Sequence, residues 1–307
     1  MVNIGFILSK GTEDVKNNPI LIIPNILLGL IEFILLTIFV IFFAYSFVSG
    51  SAGSMMTSAA SSVYSNPDYI FNMMTQISSE TAITYLILAL VYFVVIVLVS
   101  AFLQAGLIGM SKEAILTGKT NFSDLTAYGK KYFLKMIGLS ILMYFILIIP
   151  MIIVGILVAA VSSTSVAATG AAFFLLMLLY LIYAILCAFL FYFAEYALVY
   201  DDFGIIDSFK RSYRIFVDNK SSVIGFVLTM FVIYFVVALV VWILGFLLAF
   251  IPFVGVLLYA LINLFITACI SALVAVWSGR KYIDLKILDN LTENPPEIFV
   301  EETIYKE

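Results

Sequence analysis

Long, nearly uninterrupted apolar runs constrain this sequence more than any other feature. Six of them, at about residues 20–48, 82–110, 136–161, 171–200, 223–250 and 256–278, exceed the roughly 20 apolar residues that a helix needs to cross a bilayer. Only 11% of the 307 residues are charged, against about 25% in soluble domains. The sequence therefore predicts an all-α, polytopic integral membrane protein with six transmembrane helices.

The basic residues all lie on one side of the predicted membrane. They precede the first run, separate runs two and three and runs four and five, and follow the last run. By the positive-inside rule, both termini are expected to be cytoplasmic. Residues 1–18 lack the apolar centre of a cleavable signal, so the first run is expected to remain in a protein of the cytoplasmic (cell) membrane.

Three charged segments on the cytoplasmic side have the periodicity of amphipathic helices. The clearest is DDFGIIDSFKRSYRIFVDNKSS at 201–222, and weaker versions begin at Ser123 and at Ile4. Its apolar stripe contains Ile205, Ile206, Phe209, Tyr213, Phe216 and Val217. We therefore predict three transmembrane hairpins, each preceded by a cytoplasmic interfacial amphipathic helix, within one membrane domain at 1–286.

Two acids open the clearest of these segments. Asp201 and Asp202 come just before its first turn, where carboxylates commonly accept hydrogen bonds from free amide groups. We predict that they cap the helix, and the alternative is that the pair holds a cation.

Two further segments are not part of the spans. The loop at about 49–81 is rich in Ser, Ala and Met and has a helix-start pattern at Asn66; a solvated loop is favoured over a binding lid. Residues 287–307 contain five glutamates, one lysine and the pair Pro295-Pro296. This composition predicts a flexible acidic cytoplasmic tail.

Few polar side chains lie inside the apolar runs. The candidates for an intramembrane polar site are Glu32, Gln104, Glu195 and Asn263. Acids at membrane depth are costly and often functional. Glu195 is near the cytoplasmic end of its run, where it can reach headgroup water, so Glu32 is the stronger candidate. Glu32 is either a structural acid, hydrogen-bonded to a neighbour such as Gln104 or Asn263 or to a backbone carbonyl, or part of a solute site.

The residue inventory disfavours catalysis. The chain has no histidine, which excludes Ser-His-Asp triads and HExxH zinc sites, and it has no GxxxxGK[ST] phosphate loop. Cys187 and Cys269 both fall inside apolar runs and are expected to be packing residues. We therefore predict no enzymatic activity, no metal site and no cofactor.

Several short motifs resemble a group of prokaryotic membrane proteins. They are Asn18-Pro19, Gln104-Ala-Gly-Leu-Ile-Gly, Asp207-Ser-Phe-Lys-Arg-Ser-Tyr-Arg and Tyr282-Ile-Asp-Leu-Lys. The group has an archaeal branch and is similar to the membrane domain attached to some glycerophosphodiester phosphodiesterases. The resemblance implies a six-helix membrane domain. It does not imply the phosphodiesterase reaction, which belongs to a separate soluble barrel with catalytic histidines.

Two functions remain open. The first is a non-enzymatic membrane module that organises membrane lipids or partner proteins in the membrane, with headgroup contacts from Lys130, Lys131, Arg211 and Arg214. The second is a small-solute or ion permease with a site around Glu32. The first is preferred, because the three units share one orientation whereas many carriers contain inverted repeats. No nucleic-acid partner is expected.

Overall fold

The computed structural model of the chain describes residues 3–49, 79–161, 165–251 and 254–293, and within these ranges it is helical without strands. The helices are α1 (Ile4–Asn17), α2 (Ile23–Ser49), α3 (Ser79–Thr117), α4 (Phe122–Val161), α5 (Val166–Phe191), α6 (Ala194–Tyr200), α7 (Ile205–Asp218), α8 (Lys220–Leu248) and α9 (Val254–Glu293). A short 3₁₀ helix, Pro19–Ile22, joins α1 to α2.

Six segments of the described chain are long and apolar enough to cross a membrane. They are Pro19–Phe42, Ile83–Thr117, Phe122–Val161, Ala168–Tyr200, Lys220–Leu248 and Val254–Ile287, here called the first to the sixth span. Consecutive spans pack together as the three predicted hairpins, and α3 also packs along α4. The prediction of a six-span, all-α membrane protein is therefore confirmed.

Three of the helices are longer than a membrane is thick. α3 has 39 residues, and α4 and α9 have 40 each. With a rise of about 1.5 Å per residue they are about 60 Å long, roughly twice the thickness of a hydrocarbon core. Their lysines and arginines are near one end, called here the basic end, so this end extends beyond the apolar layer.

Tight packing is concentrated at the basic end. Tyr132, Phe193 and Tyr282 are among its fully buried side chains. Toward the other end, large apolar side chains such as Leu86 and Phe174 are about 70% exposed. Apolar side chains at that depth face acyl chains in a bilayer, so their exposure is not costly. The basic end is therefore the closely packed part of the fold.

The three predicted amphipathic segments do not form three separate helices. α1 and α7 are separate helices that precede the first and fifth spans, but the segment that begins at Ser123 is continuous with the third span in α4. The first proline in α4 is Pro150, so no proline interrupts the helix where the amphipathic pattern becomes uniformly apolar. The second unit thus differs from the predicted plan.

Two predicted segments are described only in part. α9 continues to Glu293, so the first residues of the predicted tail are helical. Residues 294–307 lie outside the described chain, as does most of the loop at about 49–81, including its predicted helix start at Asn66.

Cysteine labelling tests the predicted orientation. In a variant without Cys187 and Cys269, single cysteines replace Ser165, in the loop after the third span, or Ser221, at the start of the fifth; both positions are exposed. An impermeant thiol reagent should label only Ser165→Cys in intact cells, because basic loops stay in the cytoplasm. Permeabilised cells should allow both to react. Labelling of Ser221→Cys in intact cells would reverse the orientation.

Candidate functional site

The fourth span is interrupted close to its basic end. α5 ends at Phe191 and α6 begins at Ala194, so Tyr192 and Phe193 form a turn between two helices of one span. Such a break frees backbone groups that a continuous helix would hydrogen-bond, and unsatisfied backbone groups are costly inside a membrane. Another part of the chain has to supply their partners.

Ser212 of α7 supplies them. Its hydroxyl donates to the backbone carbonyl of Leu190 at 2.8 Å and accepts from the backbone N–H of Phe193 at 3.1 Å. Ser212 is buried, so water does not compete for these bonds. The rings of Phe191 and Phe209 add an edge-to-face contact, with centroids 4.9 Å apart. These contacts fix α7 against the break.

The break also places Glu195 beside Gln104. Glu195 is in the first turn of α6, and its Oε2 accepts a hydrogen bond from Nε2 of Gln104 on α3 at 3.0 Å. Both residues line a cavity of about 430 Å³ between the second, third, fourth and sixth spans. The other polar residues of its wall are Ser140, Tyr144, Tyr192 and Tyr196.

This cavity is just inside the apolar layer. Gln104 precedes Lys112 on α3 by eight residues, and Ser140 follows Lys135 on α4 by five. At about 1.5 Å per residue, the polar wall is roughly 8–12 Å from those lysines. Tyr144 is an exposed residue of the wall, within the third span. The cavity therefore opens sideways, toward the position of lipid chains.

Asp201 does not cap α7, contrary to the prediction, because the N-cap position is Gly204. The Asp201 side chain is only 7% exposed, and it accepts hydrogen bonds from the Tyr282 hydroxyl and the Lys286 ammonium group, both at 2.6 Å. Both donors are on α9, so Asp201 connects the end of the fourth span to the extended end of the sixth.

Asp202 does not cap α7 either. Its carboxylate forms ion pairs with Lys131 at 3.0 Å and with Lys135 at 2.9 Å, both on α4. Its φ of 56° is in the left-handed region, so the chain bends between the two acids. Hydrogen bonds from Lys135 and Lys131 lower the pKa of Asp202 to about 2. The ion pairs therefore persist at neutral pH and weaken as the pH falls from about 4 toward 2.

A further set of contacts joins α1 to α9. Arg280 binds both carboxylate oxygens of Asp14, with Nη2 to Oδ1 at 2.8 Å, and the indole N–H of Trp277 donates to the Leu8 carbonyl at 2.9 Å. A Cβ at Gly11 would lie 2.4 Å from the Trp277 ring, so glycine allows the close approach. α1 is thus fastened to the basic end of the bundle.

The structure brings together two of the four predicted intramembrane polar residues. Gln104 donates to Glu195, whereas Glu32 is on α2 and is not among the residues that line the cavity. Asn263 lines a groove between the fifth and sixth spans, where it accepts a long hydrogen bond of 3.4 Å from Thr267. Gln104, one of the partners considered for Glu32, is therefore hydrogen-bonded to Glu195.

The four predicted headgroup contacts differ in their surroundings. Lys131 has an ion-pair partner within the protein, and Arg211 is half-buried near Tyr282. Lys130 and Arg214 are exposed. Arg211 is therefore the least accessible of the four to lipid headgroups.

Comparison with known families assigns the chain. The model of one family, described as a domain of unknown function (DUF7847), matches residues 2–285. The chain belongs to the DUF7847 family. No curated protein and no solved structure is significantly similar to it. The likeness to the membrane domain of glycerophosphodiester phosphodiesterases stays a prediction, and the function of this DUF7847 protein has to be argued from its site.

Replacing Ser212 tests its role at the break. Ser212→Ala should lower the free energy of unfolding by about 1–3 kcal/mol, because the Phe193 N–H and the Leu190 carbonyl lose their partner together. Thermal or denaturant unfolding in detergent measures the loss. Ser208→Ala is the matched control: Ser208 is also buried on α7, but it donates only to the Gly204 carbonyl, which already accepts its backbone N–H. Equal losses for both variants would contradict the role of Ser212.

The two adjacent acids should differ in their contribution to stability. Asp201→Asn should cost about 1–3 kcal/mol, because the buried Tyr282 hydroxyl and Lys286 lose a charged acceptor. Asp202→Asn should change stability little at pH 7, since Asp202 is half exposed and water replaces its partners. Unfolding of both variants under the same conditions checks this order. A larger loss from Asp202→Asn would contradict it.

Proposed function

We propose that this DUF7847 protein is a non-catalytic membrane module that binds and organises anionic lipids at its basic end. The surface of α7 carries the proposal. α7 is fastened to the fourth span through Ser212, so a lipid bound to its outer face is held at a fixed position on the bundle.

The predicted apolar stripe of α7 divides between two faces. The buried face contains Phe209, Ser212 and Ile215. On another side of the helix, Ile206, Tyr213 and Val217 are 64%, 51% and 38% exposed. These three residues are seven and four positions apart, so they form one exposed strip. α7 thus has apolar surface left over after it packs on the bundle.

Cations flank this exposed strip. Lys210 lies one turn after Ile206, and Arg214 one turn after Lys210; both are exposed. Exposed apolar side chains beside cations are typical of a helix at a membrane surface, where the apolar groups enter the headgroup layer and the cations contact phosphates. Lys130 of α4 adds another exposed cation at the basic end.

The lipid site therefore differs from the one expected from the sequence. Lys130 and Arg214 remain in it, and Lys210, which pairs with Asp207 on the same helix at 3.5 Å, joins them. Lys131 instead pairs with Asp202 from another segment of the bundle, and Arg211 is half-buried near Tyr282. These internal contacts hold the bundle together, so they reduce the ability of both side chains to bind headgroups.

The alternative of a permease centred on Glu32 has weaker support. The polar cavity described above contains Glu195 rather than Glu32. Carriers often have an unwound helix segment at the substrate site, and Pro24-Asn25 is the pair in the first span that would suit one. Both residues are helical in the first turn of α2, where proline is tolerated. We therefore keep lipid binding as the proposed function.

Neutralising Lys210 and Arg214, the two exposed cations of α7, tests the proposal. Lys210→Gln combined with Arg214→Gln should weaken phosphatidylglycerol binding about thirtyfold, because each cation near an anionic surface contributes about 1 kcal/mol. Native mass spectrometry of the purified protein, titrated with this lipid in neutral detergent, gives the dissociation constants.

The matched control is Lys10→Gln combined with Lys16→Gln. It makes the same charge change at two exposed cations of α1, where one large apolar side chain, Phe6, is exposed, compared with the three of the strip on α7. The control should keep most of the affinity. Equal losses in both double variants, or no loss in either, would contradict a lipid site on α7.

A further inference from the structure

We propose that the cavity beside Glu195 binds an organic ammonium group. This site goes beyond the proposed function. It lies inside the bundle rather than on the outer face of α7, and its ligand is a cation, whereas α7 is proposed to bind anionic lipids. Its ligand is either an amine-bearing lipid headgroup or a free amine, which share the same recognisable chemistry.

The wall of the cavity contains an acid and lacks a base. Glu195 accepts from the neutral amide of Gln104 at 3.0 Å, and no described residue that lines the cavity is a lysine or an arginine. A carboxylate held away from water without a cationic partner is costly. A positively charged ligand would supply that partner, whereas an anionic ligand would be repelled.

Aromatic rings accompany the acid. Phe191, Tyr192 and Tyr196 line the cavity from the fourth span, and Tyr144 lines it from the third. Tyr192 is held in place by a hydrogen bond of 2.8 Å between its hydroxyl and that of Ser278. Aromatic faces attract organic cations, and sets of such rings recognise ammonium groups. A carboxylate among several aromatic side chains is therefore suited to an amine rather than to a phosphate.

The size and position of the cavity fit such a ligand. Its volume of about 430 Å³ is within the range of small-molecule sites. It is roughly 8–12 Å deeper than the lysines of the basic end, and the exposed rim residue Tyr144 lies within the third span. A lipid could therefore insert its headgroup from the side while its chains remain in the bilayer. A free amine would have to enter from the basic end.

Direct binding measurements with purified full-length protein test the site. The probes are phosphatidylethanolamine, followed by native mass spectrometry, and ethanolamine and tetramethylammonium, followed by calorimetry. Glu195→Gln should weaken binding of the ammonium probes at least tenfold, because it removes the charge but keeps the shape and a hydrogen bond to Gln104. Glu32→Gln makes the same change at the acid on α2 and should bind as the wild type does.

A second variant changes the wall of the cavity and leaves Glu195 in place. Tyr144→Leu removes a ring at the exposed rim and should weaken binding at least threefold. Should Glu195→Gln fail to fold, as judged by gel filtration and thermal unfolding, Tyr144→Leu decides the question, and an unchanged affinity overturns the proposal.

The outcomes separate the two ligand sources. Binding of phosphatidylethanolamine alone supports a lipid headgroup, and binding of ethanolamine or tetramethylammonium supports a free amine. If no ammonium probe binds the wild type, or if Glu195→Gln binds as tightly, the proposal is wrong. Neither result bears on phosphatidylglycerol at α7, because that affinity is measured with Lys210 and Arg214 variants.

Discussion

A helix that breaks inside a membrane has to find hydrogen-bond partners for its backbone, and the rest of this structure depends on how the fourth span meets that requirement. Ser212 accepts from Phe193 and donates to Leu190. This contact fixes α7 on the bundle, and Glu195, which accepts from Gln104, lies in the first turn of α6 directly after the break. α7 and the polar cavity are therefore both packed around one local interruption of the fourth span.

The basic end is held together by polar contacts for a related physical reason. Lipid chains are as apolar as the spans, so the hydrophobic effect does not drive helices together inside a bilayer, and specific contacts determine the packing. Here Asp201 joins the fourth-to-fifth connection to α9, Asp202 joins it to α4, and the Arg280 contact with Asp14 adds α1. Away from this end, exposed apolar side chains predominate. The protein thus combines a closely packed basic end with a lipid-facing remainder.

The sequence predicts the spans well and their irregularities poorly. Bilayer thickness sets the length of an apolar run, so six spans follow from the apolar runs alone. The break at Tyr192–Phe193 contains neither glycine nor proline and leaves no local signal. The sequence of α7 did carry a signal of the contact with the break. Ser208 and Ser212 lie on the buried face of this amphipathic helix, where hydroxyl groups need hydrogen-bond partners. Capping by Asp201 was predicted from neighbouring residues, but its partners Tyr282 and Lys286 are about 80 residues away in the chain, where local patterns carry no information.

Amide hydrogen exchange at Phe193 tests the central claim most directly, because it reports whether that N–H is hydrogen-bonded. In the wild-type protein the Phe193 amide should exchange as slowly as the amides within α5, although it lies in a break between helices. In Ser212→Ala its protection should be lost while the protection of α5 is retained. Rapid exchange at Phe193 in the wild type would show that Ser212 does not bond this amide, and would contradict the account.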